Sequence, residues 1–172
     1  HGPAWSYRQR ARFAVRQVAK KGGVLVGFHE RRTHLVVEMD SCAVLPERIS
    51  ALILPLRALL GAMQLAARIP QIEVAAGADG DALVLRVLDP PGEHDLELLR
   101  AFAERHDVDL YLQPAGPDSV HALQPERLRP LFYRLPDFDL TLHFRPSDFT
   151  QVNRAVNEVL VRRAVGLLDP RP

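Results

Sequence analysis

The chain has 172 residues, 47% apolar and 25% charged, which suits one ordinary domain with its own core and excludes intrinsic disorder, a collagen-like repeat and a disulfide scaffold. One cysteine forms no internal disulfide and fits a reducing compartment, and no apolar run approaches the roughly 20 residues of a membrane span. The net charge of +1 hides a segregation: residues 1–36 hold eight Lys/Arg against Glu30 alone, while residues 70–110 hold ten acids against three arginines. A basic end on a nearly neutral chain points to a face that meets a polyanion, or to a plainly solvated face. The N-terminus lacks the apolar stretch of a signal peptide, so a cytoplasmic protein that touches no membrane is expected.

Residues 7–18 alternate with the strand period, with Ala11, Phe13 and Val15 pointing one way and Arg8, Arg10, Arg12 and Arg16 the other. A turn at Lys20–Gly23 leads to a second strand over 24–30, and a third is expected over 34–40, which together make an antiparallel meander with one apolar and one basic side. After Cys42, the residues Ile49, Leu52, Ile53, Leu56, Leu59, Leu60 and Met63 follow a helical stripe. Pro46 is tolerated in the first turn of that helix, whereas Pro55 kinks or interrupts it. Strands over 71–76 and 82–88 flank a hairpin-type loop at 77–80, and an amphipathic helix spans 93–106. Short or edge strands are expected over 109–113, 119–123, 131–135 and 140–144, punctuated by five prolines. A last helix covers 151–168 and follows Ser147–Asp148, a plausible cap. Strands outnumber helices, so the fold class is α+β, with mainly antiparallel sheet and about three helices.

Self-contained catalysis finds little support. There is no Walker loop, no GxGxxG after a strand and no HExxH, and the seven histidines show no paired ligand spacing. A lone cysteine such as Cys42 reads most simply as a small buried hydrophobe, since no nearby base or further thiols support a nucleophile or a cluster. The densest polar and aromatic patch, 145–153, sits where a strand ends and a helix begins. Its simplest reading is capping, with Phe149 as a hydrophobic staple.

The stretches 7–13 (YRQRARF), Gly27-Phe28, 39–45 (MDSCAVL), 110–114 (LYLQP) and 145–157 (RPSDFTQVNRAVN) resemble, in order, the RNA uracil-5-methyltransferases, specifically the iron–sulfur branch acting on 23S ribosomal RNA. The pairing of MDSC with DFTQVN separates that branch from the transfer-RNA enzyme. The resemblance implies that residues 1–172 are the central domain of a longer enzyme, that 151–172 begin the connection to its catalytic domain, and that the N-terminal β-barrel and the Rossmann-like catalytic domain are absent. No catalytic residue is expected in this piece: the SCNP-type cysteine, the late glutamate base and three cluster cysteines are missing. Cys42 matches the fourth ligand of a [4Fe–4S] cluster, and Gln151 matches a glutamine that contacts S-adenosylmethionine, with Phe149 and Asn153 supporting it. Neither cofactor is expected intact here. Arg8, Arg10, Arg12 and Arg16 read, from spacing, as contacts to the phosphates of 23S ribosomal RNA.

For the parent enzyme the resemblance implies attack of a thiolate on C6 of a flipped-out uracil, methylation at C5 and removal of the C5 proton. A monomer is expected, and this piece alone should be inactive. The alternative is a free-standing RNA-binding module without catalysis. Gln151 discriminates between them, because such a module has no use for a cofactor-contacting glutamine.

Overall fold

Residues 2–18 and 23–170 are described by a computed structural model of the chain. The alternating segment forms β1 (Arg10–Val18), which pairs antiparallel with β2 (Gly23–Gly27) on one side and β3 (Gln71–Ala76) on the other. The hairpin partner of β3 is β4 (Asp81–Arg86). From β4 the chain crosses through a helix, 93–106, so β5 (Asp109–Gln113) lies parallel to β4, and β6 (His121–Ala122) closes the far edge antiparallel. The sheet order is β2-β1-β3-β4-β5-β6, and β4–β5 is its single parallel pair among the described residues. A crossover helix is what a parallel pair requires, because a tight turn can only reverse the chain. Residues Lys20–Gly22 of the expected turn lie outside the described residues.

The third expected strand, 34–40, does not form. Val36 makes an isolated bridge to His29 and packs with Ala14 and Leu25 on the outer face of the sheet. Three residues later Met39 packs against the core on the inner face, and Arg57 takes Glu38 and Asp40 at 3.3 and 3.0 Å. The segment therefore wraps around the sheet edge instead of continuing along it.

The expected long helix is divided into α1 (Glu47–Ser50) and α2 (Ile53–Ala62). Pro55 has no N–H to give the Ala51 carbonyl, so the break falls one turn before it. The apolar stripe survives the break: Ile49, Ile53, Leu56 and Leu60 are fully buried against Phe13, Ile72, Leu83 and Leu85 of the sheet. α3 (Glu93–His106) lies on the same face and contributes Leu99, Phe102 and Ala103. The buried Asp95 carboxylate accepts the Gln64 and Leu65 N–H groups at 2.9 and 2.8 Å, which ties the segment after α2 to the start of α3.

The opposite face of the sheet is thinly covered. A separate hairpin, β7 (Phe132–Leu135) and β8 (Leu140–His143), places Leu131 over Ala75 and Ala82, with Tyr111 and Phe144 beside them. α4 (Arg154–Leu168) follows and has no buried residue. Its cap is Asn153, whose Oδ1 accepts the Val156 N–H at 3.1 Å, and not Ser147 or Asp148. Asp148 is engaged elsewhere: its carboxylate accepts the Arg145 N–H at 2.8 Å and closes a tight turn over 145–148. Phe149 is 84% exposed and staples nothing. Among the described residues, no helix is long and apolar enough to cross a membrane.

Candidate nucleic-acid interface

Residues 6–10 are the seam of the molecule. On one side the Ser6 and Arg8 N–H groups donate to the carbonyls of Ala43 and Val44 at 2.9 and 2.8 Å, next to Cys42. On the other side the Gln9 N–H donates to the Val152 carbonyl at 2.7 Å, and Arg8 bridges Asn153, next to Gln151. Strand alternation explains both contacts, because consecutive backbone N–H groups point to opposite sides. The two regions singled out in the sequence thus meet on one short stretch of chain.

From there the stripe continues along β1 on the open face, but its members differ. Arg12 is 67% exposed in its side chain and pairs with Glu73 at 2.9 Å; Arg16 is exposed. Arg10 is half-buried, and its Nη1 donates to the Pro146 carbonyl at 2.8 Å. Burial pulls the Arg10 pKa down from its ordinary value, against the opposing pull of Glu73 and Asp148. Arg8 precedes the strand and is partly covered.

Gln151 is exposed and borders a cavity of about 20 Å³ that Gln9, Tyr133, Thr150, Arg154 and Asn157 also line. That space holds about one water, so a nucleoside cofactor does not fit inside it. Arg154 is half-buried there, and its pKa is lowered by burial and by Arg48. The spacing of Gln151, Arg154 and Asn157 at i, i+3 and i+6 was a helical signal available in the sequence. The arrival of Gln9 and Tyr133 from distant strands was not.

Cys42 is half-buried against the core, a free thiol in the loop before α1. Its N–H donates to Ser50 Oγ at 2.8 Å, and its carbonyl accepts the Leu45 N–H at 3.1 Å. A cubane cluster takes four thiolates. This chain offers one, in a loop held by these two hydrogen bonds and partly open to solvent. Among the described residues no three His, Cys, Asp or Glu side chains converge as a metal site, so a cluster here would draw its other ligands from outside the 172 residues.

No protein-family model matches the chain. It is similar over nearly its whole length to the 23S rRNA (uracil(1939)-C(5))-methyltransferase RlmD of Nitrosospira multiformis, with 54% identity over 171 residues, or 99% of this chain and 39% of that protein. RlmD of Ralstonia nicotianae is 56% identical over 171 residues, 99% of this chain and 38% of its own length. The chain thus spans well under half the length of the relatives it matches. Among solved structures, the fold is shared with the crystal structure of Pyrococcus abyssi tRNA (uracil-54, C5)-methyltransferase in complex with S-adenosyl-L-homocysteine, at a TM-score of 0.65 and 16% identity, covering 96% of this chain and 42% of that one. The resemblance read from five separated stretches therefore extends along the whole chain.

Proposed function

We propose that these 172 residues are the central domain of a longer, cytoplasmic and monomeric S-adenosylmethionine-dependent methyltransferase that forms 5-methyluridine in 23S ribosomal RNA, with 151–172 opening its connection to the catalytic domain. The observation that carries this reading is identity above 50% along essentially the entire chain to enzymes more than twice its length. When bound, S-adenosylmethionine supplies the methyl group for C5 of the uracil.

Within that reaction the chain's own residues bind and orient. The guanidinium groups of Arg8, Arg10, Arg12 and Arg16 form the cationic side of β1 and its approach, and of these the two exposed ones, Arg12 and Arg16, meet the RNA phosphates. The Gln151 amide, standing free at the rim of its cavity, donates to and accepts from the cofactor, with Asn153 fixing the start of α4 below it and Phe149 presenting an apolar ring beside it. Cys42 gives one thiolate to a [4Fe–4S] cluster. The pairing of residues 6–8 with 43–44 supports this role, because chain preceding Ser6 emerges beside the Cys42 loop, where further thiolates could reach it.

Two measurements test the reading. The purified 172-residue chain is expected to transfer no methyl group to 23S ribosomal RNA, while the complete gene product methylates uridine; stoichiometric methylation by the short chain alone overturns the assignment. The short chain is expected to bind RNA weakly and with strong salt dependence, and Arg12→Gln with Arg16→Gln lowers the salt slope by up to about 2. RNA binding by a complete gene product that methylates nothing would instead identify a binding module.

A further inference from the structure

We infer that Arg10 is a positioning residue: its guanidinium straps the 145–148 turn, and with it the segment that presents Gln151, onto the RNA-facing strand β1. The role assigned to Gln151 rests on the function proposed above, whereas the strap itself rests on geometry alone.

Two anchors join two segments that lie 136 residues apart at Arg10 and Pro146. The Arg10 side chain holds the Pro146 carbonyl at 2.8 Å, and Arg8 bridges Asn153 through the Gln9 N–H, which holds the Val152 carbonyl at 2.7 Å. Gln151 lies between the two. Pro146 is buried, so the turn is packed at that point, but Phe149 and Gln151 are exposed, and hydrogen bonds on either side of them carry the positioning of the stretch between. A hydrogen bond from a charged donor is stronger than a neutral one. Arg10 is more covered than Arg12 and Arg16, and the turn it holds carries its own acid, Asp148, near the guanidinium.

The stripe therefore divides by depth. Arg12 and Arg16 are open to solvent, where a polyanion can neutralise them, and Arg10, on the same face, lies under the 145–148 turn, where its charge holds the protein's own backbone. The consequence is a shared element: RNA seated along Arg12 and Arg16 grips the same strand that fixes the Gln151 segment.

The test compares Arg10→Met, Arg10→Lys and Arg12→Gln in the 172-residue chain, with a short uridine-rich RNA hairpin as probe. Arg10→Met is expected to speed hydrogen exchange at the Gln9 and Asp148 amides by about tenfold, the scale of one charged hydrogen bond, with the Ile72 amide in the sheet core unmoved. Its salt slope should stay that of the unmodified chain. Arg10→Lys, which keeps a charged donor, should recover most of the lost protection. Arg12→Gln should do the reverse, lowering the slope by about 1 with exchange unchanged. In the complete gene product, Arg10→Met should lower kcat/KM for methyl transfer with RNA affinity retained, and Arg10→Lys should restore it.

Unchanged exchange in Arg10→Met, or a slope lowered by about 1, would overturn the strap and return Arg10 to the phosphate-contacting set. If Arg10→Met unfolds the chain, Arg10→Gln, which keeps a neutral donor and removes the charge, takes its place: faster exchange at the Gln9 and Asp148 amides with an unchanged salt slope supports the strap, and unchanged exchange with a slope lowered by about 1 overturns it. A chain that binds no RNA at all would sink the proposed function while the exchange comparison still decides the strap.

Discussion

The two faces of the sheet are built on different physics. On the face covered by α1, α2 and α3, Phe13, Ile49, Ile53, Leu56, Leu60, Ile72, Leu83, Leu85 and Leu99 are closed off from solvent and form one continuous core. On the other face the contacts are small residues (Ala75 and Ala82 under Leu131), single ion pairs and the backbone seam at residues 8–10. α4 lies on that side with no buried residue, anchored by its Asn153 cap and by an ion pair between Arg162 and Asp137, and Leu160, Leu167 and Leu168 stay exposed. The first face supplies the bulk of the buried apolar surface. The second exposes its cations and amides because it is not committed to a core.

That contrast is sharpest in truncation experiments. Ile53→Ala or Leu60→Ala should destabilise the chain by about 2–5 kcal/mol in chemical denaturation, the range for deleting a fully buried aliphatic group. Leu160→Ala or Leu167→Ala should stay within about 0.5 kcal/mol, as exposed substitutions do. Comparable losses on the two faces would break the comparison.

A polar counterpart comes next. Arg48 donates from Nε and Nη2 to both carboxylate oxygens of the buried Asp81, at 2.6 and 3.0 Å, and again to the Gly77 carbonyl at 3.1 Å. Arg48→Met takes from that buried carboxylate its hydrogen-bonded cation, leaving it the Coulombic pull of Arg154, and should cost about 2–3 kcal/mol. The exposed pair of Arg68 with Asp89 should be worth under about 1 kcal/mol when Arg68→Met is measured beside it.

Glycines extend the series downward. A Cβ on Gly27 would stand 2.5 Å from the Val37 carbonyl oxygen, so Gly27→Ala should destabilise by about 1–3 kcal/mol where the chain rounds the sheet edge. Gly61 in α2 and Gly166 in α4 have open space around them. Gly61→Ala should raise global stability by about 0.5–1 kcal/mol through helix propensity. Gly166→Ala should raise it by less than half as much, because α4 opens locally before the core does; an equal gain would show that α4 belongs to the main cooperative unit.

The smallest effect is on pH. His106 stacks on Phe102 with ring centroids 4.5 Å apart, and burial, with Arg105 second, holds its pKa below the ordinary histidine value. The folded chain then binds that proton less readily than the unfolded chain. This residue's contribution is intact above about pH 6.5 and declines as pH falls below it. His106→Gln should flatten the decline in thermal midpoints measured between about pH 7.5 and 5.

Much of the fold was legible where a strong period had only one way to be buried. The alternation from Arg10 to Val18, the strand at 71–76 and the helix at 93–106 all appear, and Phe13 and Leu99 face inward as expected. The segment 34–40 misled because its alternation is real but its two ends pack on opposite faces of the sheet. The cap of α4 misled because Asp148 and Asn153 are both competent acceptors, and a local turn claimed the first. At the candidate site, Cys42, Gln151 and the arginine stripe could be named from motif and spacing. Gln9 and Tyr133 could not, since they reach the cavity only by strand pairing and hairpin packing.

The sequence by itself determined the periodicities, the segregation of charge and the resemblance to RNA-modifying enzymes, because these depend on neighbours within a few positions or on motifs read directly. Only the tertiary structure decided that residues 6–10 hold both the Cys42 loop and the Gln151 segment, and that Arg10 is covered by the 145–148 turn while Arg12 stays open. Those facts depend on contacts across as many as 136 positions. Local propensity carries no information about which distant carbonyl a guanidinium will find; the packing of the sheet settles it.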